Sequence, residues 1–511
     1  MVGTGLMAVW GAARWGWCLT GLAAVVLVAT LALRPEERRL ISPGWAGVAL
    51  LVLAVAWAVA LDHELAFRHT LLFVLAAALF GLSRRAGPSD ELLAVLALGI
   101  AATVVVAVVQ IGGGLERAQA TVAGIAPELR DLAAQRLAVG RASGTAALPG
   151  HFAVLLVMAA PLLWWRLARE RGWRRILWGG ALLGAAAGVV LSRSLAGVLV
   201  AVAVTVLAIA ARRQRWQAVA AGGALLALIA ASTLLLRTDV ARLEPVRLRW
   251  INWQTTAWVL VHHPILGVGL GGVGQAGLLA PNAATNITPY AHNSYLQLAA
   301  ELGLPGAVLL AAGVWALARL VAAGRREHLP LALAVTVLPL HNVIDFSAYA
   351  PEVMLPWAVL AGTLAARVAD LPPRPLPSWL LVPVLGGTVI LSAAAWRSEV
   401  LLNVAYTSPP QSAVTAAQQA ARWAPWALRP VLAAAGAALA ASDPRSLAIE
   451  GELARRWWVL PVSAAWAEMR ARLLLVTGRR GEALVWAREA QRRAPWRGEL
   501  GALEESCRGA S

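Results

Sequence analysis

Apolar runs recur along the first 395 residues of this chain, many of them near the roughly 20 residues that cross about 30 Å of hydrocarbon as a helix. Of the 511 residues, 59% are hydrophobic and only 14% charged, which excludes a water-soluble globular protein and implies a polytopic, all-α membrane protein. Twelve candidate spans can be drawn, at 17–33, 43–61, 65–82, 92–110, 148–165, 176–191, 195–211, 218–236, 296–321, 329–346, 353–366 and 379–395. Several are short, so the expected total is about 12 transmembrane helices, give or take one.

The formal net charge of +17 comes from arginine alone, because the chain has no lysine. The arginines sit in short clusters between apolar runs rather than on one continuous basic face, so the charge does not point to nucleic acid. The clusters are Arg34, Arg38 and Arg39; Arg84 and Arg85; Arg166 through Arg175; Arg212, Arg213 and Arg215; and Arg325 and Arg326. They fall on alternate loops, as positive-inside topology requires. The opposite, outer side then receives the polar loops 111–147 and 237–292 and the tail. The same count places the N-terminus outside, an awkward start. The first apolar run reads as a retained span, since it lacks a small-residue cleavage site. Cys18 and Cys507 are too far apart in kind and place to suggest a structural disulfide or a thiolate metal site.

Two domains are expected: a transmembrane domain at 1–396 and a soluble α-helical domain at 397–511. The second is amphipathic and repeats itself. Arg422-Trp423-Ala424-Pro425-Trp426, Arg456-Trp457-Trp458-Val459-Leu460-Pro461 and Arg493-Ala494-Pro495-Trp496 carry prolines 36 and 34 residues apart, close to the tetratricopeptide period. Gly478 to Leu484 supplies the turn and second-helix start of such a repeat. A generic helical bundle is the alternative. Neither offers a catalytic cluster, so partner or acceptor binding, or bracing, is the expected contribution.

The polar residues of the outer side form a set. Asn293 stands where an N-cap belongs, before Tyr295-Leu296-Gln297-Leu298, which puts His292 at a helix mouth. The helix dipole there favours anions and a neutral imidazole. Gly303 and Gly306 read as packing glycines. Upstream, Arg249 to His263 has the spacing of an interfacial amphipathic helix anchored by tryptophan and ended by Pro264. The run Gly267 to Gly272 matches G-x-G-x-x-G formally, but no strand precedes it, so no dinucleotide site follows. His262 and His263 point apart on a helix without carboxylates to complete a ligand set, and no Asp-x-Asp occurs; no metal site is expected. Arg193, between two spans, and Arg141, in Gly140 to Thr145, lie on the outer side, where arginine is not the rule. Two readings fit them: clamping of phosphate oxygens, or snorkelling and pairing with Asp239, Glu244 or Asp345.

These residues together resemble the bacterial O-antigen ligase and polymerase family of integral membrane glycosyltransferases. The resemblance rests on His292-Asn293 with Gly303-x-x-Gly306, on Arg249-x-x-x-Trp253, on His263-Pro264-Ile265-Leu266-Gly267-Val268-Gly269 and on Ser192-Arg193. It extends to Arg141-Ala142-Ser143-Gly144-Thr145 and to His341 through Ser347, and so covers about 140–350. It departs from the family at Ala146 to His151, where an Asn-rich turn is usual.

The resemblance implies transfer of a glycan from an undecaprenyl-pyrophosphate carrier to an acceptor on the periplasmic side of the bacterial inner membrane, with no cofactor. Lipid A-core as acceptor gives a ligase, another repeat unit a polymerase, and a protein Ser or Thr an O-oligosaccharyltransferase. A lipid-glycan flippase would share the composition but would line a central cavity with charge. Displacement at an anomeric carbon needs its pyrophosphate leaving group stabilised, for which Arg193 and Arg249 are the candidates, with Arg141 a third. It also needs the acceptor hydroxyl deprotonated, for which His292 is the candidate base, unless His292 instead binds a phosphate. Asn293 and Asp345 are supporting residues, and Asp345 either orients a partner or forms a structural ion pair.

Overall fold

The computed structural model describes residues 55, 59–86, 89–120, 137–211, 244–282, 288–325, 327–368, 378–456, 463–495 and 497–509, in which every regular element is helical. The expected spans at 17–33 and 218–236, nearly all of 43–61, and Cys18 lie outside these residues. Helix α1 is His63–Ala86 and α2 is Asp90–Val109, which continues through a π-helical turn, Gln110–Gly114, into the short α3, Leu115–Gln119. Then come α4, Pro149–Arg169; α5, Gly172–Ser192; and α6, Leu195–Ala211. After them lie α7, Glu244–His262; α8, Val273–Gly277; α9, Ser294–Gly324; α10, Leu329–His341; and α11, Pro351–Val368.

Five of these helices are long and apolar enough to cross a membrane: 64–84, 90–119, 149–169, 172–192 and 294–324. The described residues therefore support a helical membrane protein, with five candidate spans among them. The expected span at 329–346 is not one of the five. Only Leu329–His341 is helical, because the chain turns at Asn342 and folds back towards the start of α9. The central helix is α4, whose residues Phe152 to Ala159 are buried without a gap. A helix apolar all round belongs inside a bundle, and α4 packs against α2, α5, α6, α10 and α11.

The two ends of the bundle differ. At one end Arg166 donates to the Asp90 carbonyl over 2.6 Å and Arg367 pairs with the Asp90 side chain. The starts of α1, α4, α9 and α11 and the ends of α5 and α10 meet at the other end. There His69 lies against Tyr290 and Tyr349, and His151 contacts Glu352 at 3.0 Å.

Helix α9 is broken at Gly303, which has φ +63° and ψ −154° and is followed within two residues by Pro305. The break frees backbone groups that hydrocarbon cannot solvate. The loop after α7 takes them up: Val268 and Gly269 donate to the carbonyls of Ala300 and Glu301 at 3.1 and 2.9 Å, and Leu304 donates to Pro264 at 2.9 Å. Gly303 is thus a loop-docking glycine, rather than one that lets two helices approach. A Cβ there would sit 2.3 Å from the Ile265 carbonyl oxygen. Gly306 faces the Leu302 side chain of its own helix.

The tail consists of α12, Ser378–Thr407; α13, Pro410–Trp423; α14, Arg429–Ala441; α15, Ser446–Arg455; α16, Ala464–Val476; α17, Arg480–Arg493; and α18, Gly498–Arg508. Each helix packs on the next, and α12, α14 and α16 also reach the helix two further on. The expected boundary at 396 falls inside α12. Ala395 packs with Leu71 and Leu75 of α1, whereas Leu402 and Ala405 belong to tail cores. Arg456 ties the first repeat-like turn by donating to the carbonyls of Ala421, Ala424, Pro425 and Ala427. Pro461 lies outside the described residues.

The tail docks on the α1 start. Glu399 receives Arg68 at 3.4 Å and pairs with Arg429, Leu428 donates to Glu64, and Phe67 lies 4.7 Å from Trp426. The tail therefore sits at the same end of the bundle as Tyr290 and His292. These pairs centre on the buried Glu399, and the apolar contact at Phe67 and Ala395 adds to the docking. For the α9 break, Gly303→Ala is expected to cost at least about 2 kcal/mol, since the conformation is almost confined to glycine and the loop carbonyl is in the way. Thermal unfolding in detergent measures it, and an unchanged melting temperature would show that the loop does not depend on this break.

Candidate active site

Asn293 caps α9 by accepting the Leu296 N–H at 2.9 Å, so His292 stands just ahead of the first turn, as its sequence position implies. Its backbone is left-handed, with φ +54°. That conformation costs a non-glycine residue about 1–3 kcal/mol and persists only where neighbours enforce it. Trp253, on α7, donates its indole N–H to the His292 carbonyl at 3.2 Å. On the other side, Ser294 N–H donates to the carbonyls of Asn342 and Asp345 at 2.9 and 3.1 Å, and its hydroxyl donates to the Asn342 side chain. The turn that ends α10 is thereby pinned to the start of α9.

This pinning places Asp345 beside His292. Nδ1 of His292 is 3.5 Å from one carboxylate oxygen, and Nε2 of His341 is 3.7 Å from the other. Both distances fall in the ion-pair range and are long for hydrogen bonds, as is common at catalytic sites before substrate tightens them. The His292 side chain is 28% exposed while that of Asp345 is 8% exposed, so the histidine faces outward from a buried acid. The other nitrogen of His341 lies 2.8 Å from the Ser347 hydroxyl. Asp345 sits in the turn beyond α10. Its burial works against ionisation, but His292 and His341 beside it outweigh that, and its carboxyl titrates well below the usual carboxylate range.

Arg249 lies one turn before Trp253 on α7, the helix that bonds the His292 carbonyl. Arg193 is the C-cap of α5, again left-handed at φ +48°, and is exposed. Arg141 donates through Nε to the Ser192 carbonyl at 3.0 Å, and Arg193 reaches the Val139 carbonyl at 3.4 Å, so these two arginines rise from interlocked turns. Gly150, at the start of α4, joins the groups: a Cβ there would be 3.1 Å from Asp345 Oδ2 and 3.8 Å from Ser194 Oγ. The structure thus gathers His292, Asn293, Asp345 and Arg249 into one cluster, with Arg141 and Arg193 adjoining across Ser194.

Several residues here carried no assigned role in the sequence, although His341 and Phe346 lie in a stretch that resembles the family. His341 shares Asp345 with His292. His151 and Glu352 pair at 3.0 Å below them, and Phe346 packs edge-on against both His151 and His292. Glu301 is fully buried and accepts from Gln297, Tyr349 and the Gly271 N–H at 2.8–2.9 Å. In sequence these are lone polar residues within apolar runs, and that oddity was the available signal. His262 stacks on Trp258 at 4.0 Å and bonds its own helix, so it takes no part in the cluster.

The left-handed residues are informative as a group. Among the described residues three non-glycine positions have positive φ: Arg193, His292 and Ser442, the last a helix cap in the tail. A family model described as O-antigen ligase matches residues 181–311, a stretch that contains Arg193, Arg249, His292 and Asn293 but not Arg141 or Asp345. No curated protein gave a match to the chain.

A depressed carboxylate contributes stability that is complete above its unfolded pKa, about 4, and is lost as pH falls towards its folded value. Asp345→Asn is therefore expected to show a smaller drop in melting temperature between neutral and acidic pH than the parent protein. An equal drop in the two would remove Asp345 as a carboxylate stabilised by its histidines.

Proposed function

We propose that this chain, whose residues 181–311 match the O-antigen ligase family model, transfers a glycan from undecaprenyl pyrophosphate to lipid A-core at the periplasmic face of the bacterial inner membrane. The family carries the coarser conclusion, a membrane enzyme of the glycosyltransferase type, and the apolar helices agree with it. The finer assignment rests chiefly on one observation. Of the three left-handed non-glycine positions among the described residues, two are the candidate base and a candidate pyrophosphate ligand, both within the matched domain. Strain of this kind collects where side chains must be aimed.

In this reading the acceptor hydroxyl loses its proton to His292, whose Nδ1 faces Asp345 and whose Nε2 is left for the acceptor. The hydroxyl oxygen forms a bond to the anomeric carbon as the bond from that carbon to the pyrophosphate oxygen breaks. Undecaprenyl pyrophosphate leaves with the bonding electron pair, and the guanidiniums of Arg193, Arg249 and Arg141 stabilise the negative charge that develops on it. Asp345 orients the imidazole and balances the imidazolium that forms. No step asks for a metal ion or a nucleotide.

The chain is read as a transmembrane part, 1–396, and a tetratricopeptide-like part, 397–511. The docking of the tail at the His292 end supports a role for it in meeting a bulky acceptor.

Replacing His292 by Ala is expected to lower transfer from a lipid-pyrophosphate donor by about 100- to 10,000-fold. Arg193→Ala and Arg249→Ala are expected to lose a comparable factor, and a chelator is expected to leave the parent unaffected. Turnover is followed by product mass with lipid A-core, a repeat unit and a protein offered separately as acceptors. Near-normal turnover in a variant removes that residue from the mechanism, and product only with one of the other two acceptors overturns the ligase assignment.

A further inference from the structure

Gln110 is a polar residue at the end of an apolar span, buried, 31 residues before the first candidate phosphate ligand. Just beyond it the helix is kinked, with non-helical backbone at Gly112 and at Gly113, whose φ is +97°. The carboxamide makes every hydrogen bond its chemistry allows. Its oxygen accepts the N–H groups of Ser143 and Gly144 at 3.0 and 2.9 Å, and its nitrogen donates to the Gly144 carbonyl and the Ser143 hydroxyl at 3.0 and 3.4 Å. All four partners belong to the loop that begins with Arg141.

The same loop is seated from below and from the side. Gly144 has φ +56°, and a Cβ on it would meet the Phe152 ring of α4 at 2.6 Å, so the turn lies flat on the central helix. Ala142 donates to the Leu191 carbonyl at 3.2 Å, and Arg141 Nε donates to the Ser192 carbonyl. Leu191 and Ser192 form the last turn of α5, whose C-cap is Arg193. One carboxamide thus anchors the turn that carries Arg141, and that turn in turn braces the turn that carries Arg193.

We propose that Gln110 is a positioning residue for pyrophosphate recognition: by clamping residues 143–144 it holds Arg141, and through it Arg193, at the spacing that two linked phosphates require. The inference rests on the reading of these arginines as pyrophosphate ligands. Gln110 does not touch the ligand. Its loss lets the paired guanidiniums move apart, which weakens a pyrophosphate that bridges them more than a monophosphate that needs one.

The test uses the full chain in detergent with geranylgeranyl pyrophosphate and geranylgeranyl monophosphate as probes. It compares the parent, Gln110→Ala, Gln110→Glu, Arg141→Ala, Arg193→Ala and the Gln110→Ala/Arg141→Ala double variant. Gln110→Ala is expected to weaken pyrophosphate binding about tenfold, the loss of roughly one charge-assisted hydrogen bond, with a smaller change for the monophosphate. Gln110→Glu keeps both acceptor bonds to the loop and is expected to fold and to fall between the parent and Gln110→Ala. The double variant is expected to lose less than the sum of the two single losses, because Gln110 acts through the loop that carries Arg141. Additive losses, equal losses for the two probes, or failure of both Gln110 variants to fold would each overturn the proposal and make Gln110 a general structural residue. If the arginine variants bind pyrophosphate as the parent does, the reading of the arginines fails instead, and that result is distinguishable because it does not involve Gln110.

Discussion

Inside hydrocarbon an unpaired backbone N–H or C=O has no water to turn to, and each costs several kcal/mol. Three departures from regular helix among the described residues are accordingly sealed by another segment. The interruption of α9 at Gly303 is closed by the loop from Pro264 to Gly271, and Glu301 adds a side-chain bond to the Gly271 N–H. The turn at 143–144 is closed by Gln110. The turn after α10 is closed by Ser294 and Asn342. These seals are strong because their alternatives are so poor, and they hold loops at fixed positions on the helix ends.

The candidate site depends on those seals. His292 and Arg193 occupy backbone conformations that neither residue prefers. Their strain, about 1–3 kcal/mol each, is offset by the bonds around them: Trp253 on the His292 carbonyl, Ser294 on the 342–345 turn, and Arg141 on the Ser192 carbonyl. Rigid backbone under a half-exposed histidine and an exposed arginine suits electrostatic work, since preoriented charge need not reorganise as the reaction charge develops. The buried Asp345 lies between two imidazoles, within ion-pair range of each, and leaves the outward face of His292 open.

Docking of the tail uses a different balance. The pairs among Glu64, Arg68, Glu399 and Arg429 centre on the buried Glu399, and beside them Phe67 on Trp426 and Ala395 in the α1 groove remove apolar surface from solvent. Because α12 runs from the bundle into the tail as one helix, the two regions share an element rather than a linker. The start of α1 therefore touches the tail at Phe67 and the site aromatics at His69, two residues later.

Much of this was legible in the residues themselves. Apolar runs specified α1, α2, α4, α5 and α9 because hydrocarbon permits little else. Asn293 before an apolar helix announced its N-cap, and Pro264 ended α7 close to its place, because capping and proline chemistry are local. His292, Arg193 and Arg249 stood out as polar groups on the wrong background. The run at 329–346 misled, since its composition suits a span while its last residues turn back to bond α9, and hydropathy does not register a hydrogen bond made 50 residues away. Gly303 looked like a packing glycine because its φ is decided by a loop from another part of the chain. Gln110 and Glu301 drew no role for the same reason: Ser143 and Gly144, and Gly271 and Tyr349, lie 30 to 48 residues away, and only the folded chain brings them within bonding distance.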